Sequence, residues 1–172
     1  MTIAALTVPA AAVTAEATVL KQWRGFCRLP FGRRLFNLLI GITVPYAGSI
    51  APQVVELAPG QARAQMADRR RVRNHLRSLH AVALTNLAEL TGNLALMSRQ
   101  PPKGARWIIT GFQTEFVKKA RGTITAACCL PELDWSTTQS LDGRVELRDA
   151  TGDLVMIARP LWRIGPDQPK QA

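Results

Sequence analysis

Glu89 stands in a stretch that is otherwise almost wholly apolar, where a carboxylate costs free energy unless something pairs with it or uses it. Thr85, Asn86, Glu89 and Asn93 recur three and four positions apart, so on a helix they line one stripe. His80 lies at the start of the same stretch, where unbonded backbone N–H groups and the positive end of the helix dipole can polarise a carbonyl oxygen. Such N–H groups are the raw material of an oxyanion site. Between His80 and Glu89 run nine helical steps, ~13 Å of rise and about two and a half turns, so the two side chains point to opposite sides. One helix cannot bring them to one site. Acting together requires Glu89 from a second copy of the chain, which predicts a two-fold dimer with composite sites.

The segment that positions these groups is rich in Leu and Ala from residue 79 on, lacks Pro, and is apolar on nearly every side. Residues 79–97 are therefore expected as a central helix enclosed by other structure. Before it, 50–57 and 61–66 read as two strands joined at Pro59-Gly60, followed by a basic loop over 68–73. After it, 106–117 reads as a long strand with Gly111 as a bulge or close-approach point, 118–122 as a turn, 123–130 as a returning strand, and 144–148 with 154–162 as a last hairpin. A helix, two strands, a long helix and four more strands make an α+β chain, an antiparallel sheet with helical material on one face. The expected organisation is a flexible arm over 1–20, a helical segment over 21–48, one main domain over 50–165 and a tail over 166–172.

At 172 residues, 47% hydrophobic and 20% charged, the chain is one domain's worth of globular protein. Its net charge of +10 predicts an anionic partner without naming one. The three cysteines, Cys27, Cys128 and Cys129, lack metal-ligand spacing, so no metal is expected and reduced cytoplasmic thiols are the simplest reading. Adjacent Cys128 and Cys129 should point to opposite faces of a strand. The first twenty residues carry no positive charge ahead of their apolar run, unlike an export signal. Over 20–39, basic residues alternate with large apolar ones, as in an amphipathic helix at a membrane surface. Pro30 and Gly32 split that stretch, so short helices packed on the domain with their Arg side in water are the favoured reading. The apolar run 35–44 falls well short of the ~20 residues of a membrane span.

The order of elements and the pattern Asn74, His80, Glu89, with Gly92 and Asn93 behind them, resemble the hotdog-fold thioesterases, in particular the phenylacetyl-CoA and hydroxybenzoyl-CoA thioesterase-like group. The similarity runs over about 50–162. The stretch 116–122, with Phe116, Lys118, Lys119, Arg121 and Gly122, is also similar to that family's strand-to-strand turn. The resemblance implies an antiparallel sheet wrapped around the central helix, a homodimer or dimer of dimers, and hydrolysis of acyl-CoA or acyl-carrier-protein thioesters. It further implies Glu89 as general base or nucleophile, His80 and Asn74 near the thioester carbonyl of the other subunit, and Asn93 as a polar helper beside the attacking water. The backbone N–H of Ala81 would be the oxyanion donor, and Lys118, Lys119 and Arg121 would bind the phosphates of CoA. No cofactor is implied beyond the coenzyme A moiety of the substrate. The family often carries two glycines after the His, where this chain has Ala81 and Val82; the bulk of Val82 lies where the thioester would approach.

Each signal has a structural counterpart. Glu89 can be a buried acid satisfied by Asn and Thr neighbours, His80 a helix cap, and the Arg-rich loop a solvated surface. Two other functions stay open on these residues. One is a non-catalytic hotdog protein that holds acyl-CoA, which the Ala81-Val82 pair favours. The other is nucleic-acid binding, which is not expected, because the four Trp and one Tyr are not interleaved with the basic run as a stacking surface needs.

Overall fold

The computed structural model describes residues 18–167. The arm expected over 1–20 lies outside the described residues except for its last three, which open the first helix, and the tail expected over 166–172 lies outside them from 168 on.

Pro30 and Gly32 break the N-terminal segment as their chemistry requires. Helix α1 (Thr18–Cys27) ends before Pro30, α2 (Gly32–Thr43) starts at Gly32, and the single turn α3 (Pro45–Gly48) follows. A Cβ on Gly32 would meet the carbonyl oxygen of Phe26 at 1.7 Å, so the α1–α2 corner closes only with glycine there. Trp23 and Phe36 form the hinge of this layer, their rings edge-on at 5.1 Å. As the favoured reading has it, Lys21, Arg28, Arg33 and Arg34 face water; the outward face of α2 is apolar besides, with Leu35, Leu38, Leu39 and Ile42 exposed.

The hairpin β1 (Gln53–Ala58) and β2 (Gln61–Met66) turns at Pro59-Gly60, and the basic loop holds one 3-10 turn, Arg70–Val72. The long helix α4 (Ala81–Met97) follows. Then come β3 (Ala105–Phe116), β4 (Ile124–Cys129), β5 (Gln139–Asp142), β6 (Val145–Arg148) and β7 (Leu154–Pro166). All pair antiparallel in the order β1-β2-β4-β6-β7-β3, with β5 also on β7. The expected bulge near Gly111 is present: the β3–β7 register shifts between Ile109 and Gly111.

Strand β5 was not foreseen, since Ser136 to Ser140 is polar and reads as loop. Its pairing with β7 at 161–164 continues the line along which β6 pairs 154–158, so β5 and β6 make one strand broken at Gly143. There a Cβ would sit 2.3 Å from the Trp162 ring, so glycine lets the indole lie in the break.

The sheet wraps α4. Small residues at Ala62, Ala64 and Ala126 let the helix approach β2 and β4, and Leu84, Leu87, Leu94 and Leu96 fill the contact. Fully burying a Leu such as Leu87 stabilises by about 2 kcal/mol. The helix is not enclosed all round, as its composition suggested. Val82 and Met97 are exposed, and Thr85, Glu89 and Asn93 are half-buried, so the polar stripe is the one open face of α4. Cys128 faces the core and Cys129 faces out, as adjacent strand residues must. Among the described residues, no helix is long and apolar enough to cross a membrane.

Candidate active site

Helix α4 begins at a built corner. His80 is its N-cap, in extended conformation, and its Nδ1 accepts from the Val82 N–H at 3.1 Å. The proton-bearing nitrogen of the neutral ring is then Nε2, which leaves a donor on the exposed side of the imidazole. With Val82 satisfied by the cap, the N–H of Ala81 has neither an intrahelical acceptor nor a side-chain acceptor among the described residues, as an oxyanion donor requires.

Two neighbouring loops hold this corner. The Leu79 N–H donates to Ala120 O at 2.9 Å and the His80 N–H to Val72 O at 2.8 Å. Asp68 ties the same loops together: it accepts from Arg73 Nε at 2.5 Å and from the Gly122 N–H at 3.0 Å. The Arg73 guanidinium, with the Gly122 N–H behind it, holds the Asp68 carboxyl below its ordinary range. Turn 118–122 is thereby fixed against the start of α4.

The oxygen of Asn74 is used within its own loop. Its Oδ1 accepts from the Leu76 N–H at 2.9 Å, the Ser78 N–H at 3.2 Å and Ser78 Oγ at 3.2 Å, an Asx-type loop that delivers residues 79 and 80 to the corner. Among the three basic residues of the turn, Lys118 is committed elsewhere, to Asp149 at 2.7 Å and Asp153 at 2.6 Å. Those carboxylates raise the Lys118 ammonium pKa, and Lys118, with the Thr151 hydroxyl, drives the Asp149 carboxyl well down. Lys119 and Arg121 are exposed and make no ion pair among the described residues.

On the open stripe, Glu89 is oriented by a chain of two hydrogen bonds. Trp162 Nε1 donates to Asn93 Oδ1 at 3.0 Å, and Asn93 Nδ2 donates to Glu89 Oε1 at 3.0 Å. The indole bond fixes which way the Asn93 amide points, so its N–H must face the carboxylate. Trp162 is fully buried and lies against Gly92, where a Cβ would come within 3.1 Å of the ring, as well as in the break at Gly143. Sequence reasoning missed Trp162. Its signal was there: a buried indole N–H seeks an acceptor, and the unaccounted polar groups were on the α4 stripe.

A groove of ≈ 590 Å³ opens beside His80, lined by Tyr46, Ile50, Arg71, Arg73, Val82 and Asn86 among others. Asn86 Nδ2 donates to Tyr46 O at 2.9 Å, while its buried Oδ1 has no partner. The groove is thus lined beside the α4 start by the His80 ring, by Arg71, and by Arg73, which is paired with Asp68. Glu89 of the same chain is not among its lining residues.

The family model described as "Domain of unknown function (DUF4442)" matches residues 32–164. No curated protein matches the chain. Among solved structures, a structural-genomics protein is 32% identical with a TM-score of 0.76, the match covering 87% of this chain and 99% of that one. A Pseudomonas aeruginosa protein of unknown function, described as a probable thioesterase, is 23% identical with a TM-score of 0.69, covering 80% of this chain and 97% of that one. A mutant of the phenylacetic acid degradation protein PaaI from Thermus thermophilus is 20% identical with a TM-score of 0.59, covering 69% and 97%. The chain belongs to the DUF4442 family and has the hotdog fold.

Proposed function

We propose that this protein hydrolyses acyl thioesters, of coenzyme A or of an acyl carrier protein, in composite sites between two copies of the chain. The observation that carries the reading is Glu89: a half-buried carboxylate on the one open stripe of α4, held in orientation by Asn93 and Trp162. The probable thioesterase and PaaI share the fold, and the description of the first supports the reaction class.

In this mechanism the thioester carbonyl lies at the start of α4, its oxygen on the Ala81 N–H. The His80 Nε2–H orients it, and the helix dipole favours the charge that grows there. Glu89 of the partner subunit removes a proton from water as the water attacks, or attacks the carbonyl itself. Where water attacks, the tetrahedral intermediate collapses with loss of the thiolate, which takes up the proton held by Glu89, and the acid is released; where Glu89 attacks, loss of the thiolate leaves a mixed anhydride, which a water then cleaves to the free acid and the carboxylate. Asn93 acts through Glu89. Lys119 and Arg121, with Arg71 across the corner, supply positive charge for the phosphates of coenzyme A or the acidic surface of a carrier. Strand β3 is an edge of the sheet twelve residues long, exposing Ile108 and Phe116, and such an edge can pair with its copy in a second chain.

The test is Glu89→Gln, assayed by thiol release over short, medium, long and aryl acyl-CoAs. A fall of about 10³-fold in kcat with binding intact is expected for loss of the base. Wild-type rates would remove Glu89 from the chemistry. Tight acyl-CoA binding by the wild type with no thiol released would establish the non-catalytic binding protein, which Val82, exposed at the mouth of the groove, favours.

A further inference from the structure

The N-terminal layer has a face that the proposed reaction does not use. On α2, Leu35, Leu38, Leu39 and Ile42 recur at the spacing of one helical stripe and are 45%, 60%, 41% and 64% exposed. The opposite side of the same helix, with Phe36 and Asn37, is the one packed on the domain. At the α1–α2 corner Leu29 is 56% and Phe31 77% exposed, and Phe31 holds φ at 59°, a region a bulky residue occupies only when the surrounding chain forces it. Past the helix, Val44 and Tyr46 continue the apolar surface.

The charge around this face has one sign. Five basic residues and no acidic one lie between Glu16 and Glu56. Lys21, Arg28, Arg33 and Arg34 are exposed, and none has an ion pair among the described residues. Arg34 flanks the stripe and lies over the Phe31 ring at 5.6 Å, so the corner presents an aromatic wedge with a guanidinium beside it.

From this we infer that the α1–α2 face docks the protein on an anionic lipid surface, the Leu35–Leu38–Leu39–Ile42 stripe and the Phe31 corner entering the acyl boundary and the basic residues meeting the headgroups. The inference does not rest on the thioesterase reading. Two copies facing each other here would bring arginines against arginines with no acid to offset them, so self-association is opposed by charge. The stripe offers no hydrogen-bonding side chain to a structured protein partner, whereas a fluid apolar medium needs none. Helix α2 packs on β1, at the opposite end of the sheet order from edge strand β3, so pairing through β3 does not use this face.

The full-length protein is tested by co-sedimentation with phosphatidylcholine vesicles, with and without phosphatidylglycerol, at low and high salt. Binding to the anionic vesicles, weakened by salt, is expected. The double variant Leu38→Glu/Ile42→Glu should lose roughly tenfold or more of that partition while keeping the wild-type circular dichroism and melting temperature, because both side chains already lie in solvent. Arg28→Glu/Arg34→Glu should lower binding to anionic vesicles and leave the weak binding to neutral ones unchanged. Lack of partition onto anionic vesicles at low salt overturns the inference. So does a wild-type oligomer that the Leu38/Ile42 variant dissociates, which makes the face an interface between copies. Capture of an acidic acyl carrier protein through these residues without vesicle binding overturns it as well.

Discussion

Two inactive forms of this protein should regenerate activity when mixed, and the recovered fraction follows from the position of two residues on one helix. His80 caps α4 and Glu89 lies nine residues further on, ~13 Å along the axis and on the opposite side, so in the proposed mechanism each site draws them from different chains. A Glu89→Gln chain keeps its His80 corner, and a His80→Ala chain keeps its carboxylate. In a heterodimer of the two, one site pairs an intact His80 with an intact Glu89 and the other has neither. Random assembly of equal amounts makes half the dimers heterodimers, so about a quarter of wild-type sites return, and about half in heterodimer purified through two tags. The His80 variant loses one capping bond, from the Val82 N–H, which costs about 1 kcal/mol and leaves the core untouched. The assay is thiol release from acyl-CoA after the two chains are denatured together and refolded, with each homodimer as its own baseline. If one chain supplied both groups, no heterodimer would hold an intact site. Purified heterodimer no more active than the two baselines therefore refutes the composite site, and with it the assignment of Glu89 across the interface.

Trp162→Phe removes the donor to Asn93 Oδ1 and empties part of the space between Gly92 and Gly143. It should cost about 3 kcal/mol in urea unfolding from the lost hydrogen bond and the cavity together. It should also lower kcat roughly tenfold or more with KM little changed, because Asn93 no longer has one orientation toward Glu89; a stability loss with unchanged kcat would leave Trp162 as packing alone. Burial pushes the Cys128 thiol up from its ordinary 9.0 to about 12, with Cys129 beside it adding to the shift. Iodoacetamide at pH 8.5 should therefore modify Cys27 and Cys129 in the folded protein and Cys128 only after unfolding, counted by mass spectrometry. Because the folded value lies above the unfolded one, this thiol's contribution to stability is complete below pH 9 and declines as pH rises from 9 toward 12, which urea titrations across that range should follow.

What the sequence made legible was the part governed by period. The Leu-Ala run, the β1–β2 turn at Pro59-Gly60, the bulge at Gly111 and the opposite facing of Cys128 and Cys129 each follow from local geometry, and the structure has all four. Two features were hidden for one reason, the pairing of groups far apart in the chain. Lys118 looked like a free cation in its turn, but the fold brings Asp149 and Asp153 to it from the β6–β7 hairpin. The polar stretch before residue 140 looked like loop, but β7 is long enough to supply a partner for β5 as well as for β6. The helix was read as enclosed because only its composition was visible. Its exposed stripe appears once the sheet is seen to curl over the other sides, and that stripe is where the unexplained carboxylate lies. Composition had raised the right question about Glu89, how an acid is tolerated among leucines, and the answer is positional. Asn93 satisfies one carboxylate oxygen and Trp162 holds Asn93, while the face beyond them is open, so the charge is neither sealed in the core nor fully in water. A second chain laid over that face would withdraw the remaining solvent from Glu89 without burying it unpaired, which is the environment a base acting on a thioester needs.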